Sequence, residues 1–159
     1  MNNSSTIRIF GDKLAGQTYL GRPGAYAVIR DARLRIATLR VGTVFFLPGG
    51  GSGPNETPQA TLHREIMEEC GRAIQIGPEL CKAVEYLYAR NEGVYYQICS
   101  TFFEATFMEG QVNPLEDNHI LVWLPVTEAI QYLHRQSQAW AVQRLVSSID
   151  DFSGASRQN

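Results

Sequence analysis

The chain has 159 residues, with 16 acidic and 14 basic side chains, a formal net charge of −2 and 44% hydrophobic residues. That balance excludes an intrinsically disordered chain, which needs low hydrophobicity and high net charge. It also leaves no basic footprint for nucleic acid or for a polybasic membrane contact.

One domain over residues 1–159 is the natural reading, burying about 69% of its unfolded surface. The polar ends, 1–6 and 153–159, are expected to fray. No apolar run approaches the ~20 residues of a membrane span. Residues 1–6 lack the basic and apolar regions of a signal peptide. Cys70, Cys81 and Cys99 are odd in number with no CxxC spacing, which fits free thiols and a cytoplasmic location.

In chain order, residues 25–30 and 34–41 read as strands joined by a turn at Asp31-Ala32, the second alternating apolar and polar for much of its length. Residues 43–47 follow as a short apolar strand, and Pro48 to Asn55 breaks regular structure. A helix is expected to start with Thr57 as N-cap and Pro58 in its first turn, and to stop at Gly71. Residues 82–90 and 94–107 flank Asn91-Glu92-Gly93 and predict a hairpin. A short strand at 120–124 precedes Pro125. Two helices, near 127–134 and 137–150, close the chain, the last with Val142, Leu145, Val146 and Ile149 at helical spacing. Strands, one internal helix and terminal helices predict an α+β or mixed-sheet sandwich.

Acids are unevenly spread. Residues 56–69 hold four glutamates, Glu56, Glu65, Glu68 and Glu69, where an even spread of the 16 acids would put between one and two. At about 100° per residue, Glu69 falls about 40° and Glu68 about 300° from Glu65, so three carboxylates share an arc of about 100°. Ala60, Ile66, Met67 and Cys70 fall on the other side, with His63 among them as a core or strand-contacting histidine. This predicts an acidic face and an apolar face. The pairs Glu65–Glu68 and Glu65–Glu69 each cost roughly 0.2–0.5 kcal/mol and lie where the macrodipole disfavours anions. A divalent cation removes the conflict; a solvated acidic face is the alternative the residues leave open. The preceding Phe46-Leu47-Pro48-Gly49-Gly50-Gly51 lets the backbone approach a ligand closely. A glycine loop running into an acid-faced helix favours Mg²⁺, which takes a few carboxylates plus substrate phosphates.

Gly50, five residues to Glu56, and seven more to Arg64-Glu65-Ile66-Met67-Glu68-Glu69-Cys70-Gly71-Arg72 resemble the Nudix box. That box runs Gly, five residues, Glu, seven residues, Arg-Glu-apolar-any-Glu-Glu-any-Gly-apolar. Arg72 departs from the final apolar position, a packing role that Ala73 and Ile74 are expected to take over. Asn55 stands where many members have glycine, and asparagine tolerates left-handed backbone geometry.

The resemblance implies an α/β/α sandwich around a mixed sheet, and hydrolysis of a nucleoside diphosphate linked to another group with Mg²⁺, sometimes Mn²⁺. It implies Glu65, Glu68 and Glu69 as metal ligands, together with the backbone carbonyl of Gly49. Arg64 would hold the glutamates in place, Glu56 included. Glu65 is one candidate base, and in many members the base lies on a loop outside the box. Glu116, in the loop before strand 120–124, is the candidate there. Tyr88, 16 residues beyond the box, resembles a tyrosine of the dinucleoside polyphosphate hydrolase subgroup, with a ring on which a base could stack. Phe45, Phe46 and Tyr96 fit a base pocket or the core, Trp140 fits the core, and His119 and His134 read as exposed.

The expected substrate is a dinucleoside polyphosphate or a modified nucleoside triphosphate, with ADP-ribose or another nucleotide sugar as runner-up. A non-catalytic nucleotide sensor is the alternative from another class. The expected partner is a small-molecule nucleotide, with neither nucleic acid nor membrane, and a homodimer stays open. Outside residues 56–69 the chain carries 14 bases against 12 acids, a slightly basic body around an acidic site.

Overall fold

The computed structural model describes residues 7–155. In chain order the elements are β1 (Ile7–Phe10), β2 (Tyr19–Ile29), β3 (Arg35–Val41), β4 (Val44–Phe46), β5 (Gly49–Gly51), α1 (Pro58–Cys70), β6 (Ile74–Ala89), β7 (Val94–Phe107), β8 (His119–Pro125), α2 (Val126–Tyr132) and α3 (Gln136–Ala155). Five strands form a mixed sheet in the order β1-β6-β7-β2-β5, and three form an antiparallel sheet in the order β4-β3-β8.

Strand alternation sends residues to two separate cores. On β2, Ala25, Ala27 and Ile29 meet Leu62, Ile66 and Cys70 of α1. Val28 points the other way, toward Ala129 and Leu133 of the α2 region and Ala141, Val142 and Leu145 of α3. β3 serves both layers, with Ile36 in the second core and Ala37 and Leu39 in the first. Helices therefore cover both faces of the sheets, the α/β/α sandwich expected. Each fully buried Leu or Ile contributes about 1.5–3 kcal/mol to holding the layers together.

The first half departs from the sequence pattern. The stretch expected to be irregular contains β5, in which Gly49, Gly50 and Gly51 pair antiparallel with Tyr26, Ala25 and Gly24. β2 begins at Tyr19 and β1 precedes it, because Gly21, Pro23 and Gly24 hide a strand that carries little hydrophobic alternation. β6 begins at Ile74 rather than 82, with register shifts on either side of Glu79, just after Gly77-Pro78. At the other end α3 runs through Ala155, so residues 153–155 are helical rather than frayed. Residues 1–6 and 156–159, expected to fray, lie outside the described residues.

Helix α1 does not divide its acids from its apolar residues as expected. Its buried residues are Thr61, Leu62, Ile66, Glu69 and Cys70, while His63 and Ala60 are exposed and Met67 is 39% exposed. The buried arc centres about 60° from Glu65, because α1 turns its Glu69 side inward to meet β5. No described helix is long and apolar enough to cross a membrane.

Candidate active site

Local chemistry sets the start and end of α1. The Thr57 side chain accepts the Ala60 N–H at 3.1 Å and Pro58 occupies the first turn. Asn55 is left-handed at φ 61°, as its glycine-like position requires. Gly71 caps the helix at φ 63°, and a side chain there would run into the Val112 carbonyl. The last turn of α1 has orphan carbonyls, and the loop before β8 satisfies them. Val112 N–H donates to the Gly71 carbonyl at 2.8 Å, and Leu115 and Glu116 N–H groups donate to Glu68 at 2.9 and 3.1 Å. This strap carries the Glu116 side chain to α1.

Arg64 organises the acids. Its Nε and Nη2 donate to the two Glu56 oxygens at 2.8 Å each, Nη1 to Glu65 at 2.8 Å and Glu68 at 3.4 Å, and Nη2 to the Gly51 carbonyl at 3.0 Å. The bidentate contact, with the Gly53 N–H and the Thr61 hydroxyl, holds the Glu56 carboxyl down at about 2. Gly50 lies against Glu65, where a Cβ would come within 2.6 Å of the carboxyl carbon.

Glu69 is 7% exposed and accepts the Gly49 N–H at 3.0 Å. Burial pushes its pKa up to about 9, with Glu65, Glu116 and Glu68 adding like-charge repulsion against the Gly49 hydrogen bond. Burial also raises Glu65, against the pull of Arg64.

The carboxylates converge. Glu65, Glu68 and Glu116 each bring an oxygen to within 4.8 Å of the others, and Glu69, Glu116 and His119 do the same with a ligand atom each. Four carboxyl groups sharing one surface, one of them buried with no basic partner, are the hard oxygen donors that a divalent cation takes.

His119 is not the exposed residue expected. Its side chain is 20% exposed, with Nδ1 2.9 Å from Glu116 and Nε2 4.0 Å from Glu69. Its position three residues after Glu116 was the available signal. His134 is exposed and packs edge-on against Phe46 at 5.6 Å. Arg72, in the apolar position of the box, lies 4.3 Å over the Phe107 ring and donates to the Met108 carbonyl, while Ile74 is buried and Ala73 exposed.

Tyr88 is not brought to the carboxylates. Gly49, Tyr26, Phe102 and Cys81 lie at one level across the large sheet, and Tyr88 is seven residues further along β6, about 23 Å at strand rise. It packs there on Tyr95 at 4.6 Å.

Beside Glu69 and Gly49 a cavity of about 260 Å³ opens between the sheets, with Tyr26, Phe46, Arg135 and Gln138 in its wall. Sequence reasoning missed Tyr26, Arg135 and Gln138. The last two lie far along the chain, at the start of α3, and only tertiary packing brings them here.

The sequence matches the NUDIX domain family over residues 21–145. No curated protein matches it at a significant level. A NUDIX hydrolase from Nitrosomonas europaea superposes with TM-score 0.65 at 14% identity, over 81% of this chain and 90% of that one. The MutT protein from Methanosarcina mazei Go1 gives 0.64 at 18%, over 82% and 96%. A C. elegans Ap4A hydrolase gives 0.61 at 14%, over 82% and 98%. Likenesses this distant speak for the fold. The family match runs through most of the chain and encloses Gly50, Glu56, Arg64, Glu65, Glu68, Glu69 and Gly71, and the chain belongs to the Nudix family of hydrolases.

Proposed function

We propose that the protein is a metal-dependent pyrophosphohydrolase that cleaves a nucleoside diphosphate linked to another group, a dinucleoside polyphosphate or a modified nucleoside triphosphate being favoured. The convergence of Glu65, Glu68, Glu69 and Glu116 beside Gly49 carries this reading. A diphosphate repels both a nucleophile and these carboxylates, so it can dock only with its charge matched by a cation. The residues that would hold Mg²⁺ or Mn²⁺ are Glu65, Glu68 and Glu69, with Glu116 and the Gly49 carbonyl beside them. When bound, the metal supplies charge neutralisation at the phosphates and acidifies water.

The chain's own residues do the rest. Arg64 fixes the Glu65 and Glu68 carboxylates by direct contacts, so they need no reorganisation when substrate arrives. Glu116 accepts the proton of the attacking water, with His119 Nδ1 2.9 Å from its carboxylate. Glu65 is the alternative base. Water attacks one phosphorus and a phosphate-bearing group departs, with no covalent protein nucleophile.

The test is a panel of dinucleoside polyphosphates, nucleoside triphosphates and nucleotide sugars with Mg²⁺. Wild type turns over at least one diphosphate-containing nucleotide, and Glu69→Gln lowers kcat about a hundredfold or more. Absence of turnover across the panel, or a mutant equal to wild type, sinks the reading.

A further inference from the structure

A second cavity, of about 480 Å³, lies at the end of β3 away from the acidic cluster. Ile36 and Leu145, each 1% exposed, line it together with the partly exposed Leu34, Val126, Val146 and Ile149. The far end of β3, Leu39 and Val41, belongs instead to the cavity beside Glu69. Five residues of strand, about 17 Å, separate Ile36 from Val41. The lining comes from the β2–β3 turn, β3, the start of α2 and the second half of α3. It is therefore built by several elements rather than laid out along one helix face. Its volume falls in the roughly 300–1,000 Å³ range of small-molecule pockets.

The rim is basic. Arg30, Arg33 and Arg35 line it against one acid, Asp150. Arg35 is committed to Asp31, with Nε and Nη2 each 2.7 Å from Oδ2. Arg30 and Arg33 are exposed, and neither forms an ion pair among the described residues. Glu104 shares a neighbouring cavity with Arg30 but lies beyond ion-pair distance.

The turn that carries these arginines is held by its own hydrogen bonds. Asp31 Oδ1 accepts the Arg33 and Arg35 N–H groups at 2.9 Å each, and the Asp31 carbonyl accepts the Leu34 N–H at 3.0 Å. They keep Leu34 at φ 60°, a left-handed backbone that a bulky side chain rarely adopts. Leu34 is 48% exposed, so core packing does not account for the strain. Strain of this kind persists where the surroundings over-determine it, and it clusters at ligand sites. Here it sets an apolar side chain beside two unpaired guanidiniums. An aliphatic chain suits the lining, and a carboxylate or phosphate head suits guanidiniums, which pair such groups bidentately. A cationic head would be repelled.

We propose that this cavity binds a free, single-chain amphiphilic anion, with its aliphatic chain between α3 and the start of α2 and its head group on Arg30 and Arg33. The site stands apart from the acidic cluster and does not depend on the hydrolase reading.

Calorimetry of the full chain with decanoate below its micelle concentration tests it. Wild type is expected to bind a single decanoate, and to bind decyltrimethylammonium about tenfold more weakly or worse. Arg30→Glu and Arg33→Glu each lower decanoate affinity about tenfold and narrow the gap between the two amphiphiles. Val146→Glu sets a charge in the apolar lining and abolishes decanoate binding. Glu69→Gln, at the acidic cluster, leaves it within about twofold. No decanoate binding, equal affinity for the two amphiphiles, or affinity unchanged in both arginine variants overturns the proposal. So does a loss in Glu69→Gln that matches Arg33→Glu, or capture of an acidic amphipathic helical peptide in place of decanoate. The arginines are exposed, so their variants keep the test decisive even where Val146→Glu does not fold.

Discussion

Glu69 keeps its proton in the folded, metal-free protein up to about pH 9, while the unfolded chain releases it near 4.5. Between those values the folded state binds more protons, so stability falls as pH rises. In EDTA the melting temperature is expected to drop from pH 5 to pH 9, and Glu69→Gln flattens that slope; an unchanged slope in the mutant would contradict it. Gly50→Ala is a second residue-scale case. The new methyl would press on the Glu65 carboxyl group, and the expected outcome is a tenfold or greater loss of kcat with a raised half-saturating Mg²⁺ concentration. The glutamates themselves were legible in the sequence because helical spacing of three and four forces neighbouring side chains together whatever the rest of the fold does. Burial of Glu69 was not legible: the wheel gives angles around α1 but not which angle faces the sheet, and β5 decides that through the Gly49 N–H.

At the scale of elements, α1 was readable from end to end because its start and stop are local chemistry. Thr57→Ala removes the bond to the Ala60 N–H and is expected to cost about 1 kcal/mol of stability in denaturant unfolding, with activity retained. Asn55 lies outside the helix, so its left-handed backbone can be probed independently. β1, the first half of β2, and β5 were opaque for one shared reason. Their residues are small, or are ordered by partners distant in sequence, and strand formation there comes from the ladders of β1 with β6, β2 with β7 and β5 with β2 rather than from an alternating pattern. The strap before β8 was half readable. An acid in that loop was visible, but the hydrogen bonds from Val112, Leu115 and Glu116 to the end of α1 depend on carbonyls that have no signature in sequence. Val112→Pro deletes the N–H given to Gly71. Its expected effect is a larger loss in kcat than in nucleotide KM, because Glu116 is displaced while the cavity with Arg135 stays intact.

Taken as a whole, the molecule is two cores sharing one pair of sheets, and the layers stand or fall together. Leu62→Ala on the α1 side and Leu145→Ala on the α3 side, each at 1% exposure or less, are each expected to cost about 2–5 kcal/mol, and far-ultraviolet circular dichroism and tryptophan fluorescence should still report one common transition. The charge map has the same global character. Net charge near zero conceals a concentrated acidic site within a slightly basic remainder, and neither composition nor hydropathy reports where in space the acids gather. The strap has a further bearing on how much length the chain tolerates. Gly110 has open space where a side chain would project, and the backbone from Glu109 to Gln111 is exposed. A short insertion after Gly110, which itself stays glycine at φ 96°, or a fluorescent label at the exposed Glu109, can project into solvent with the downstream anchors still fastened, whereas the same insertion between Val112 and Glu116 strains them. The protein thus offers a tolerant splice point six residues before Glu116, at the edge of an intolerant segment from which Glu116 hangs.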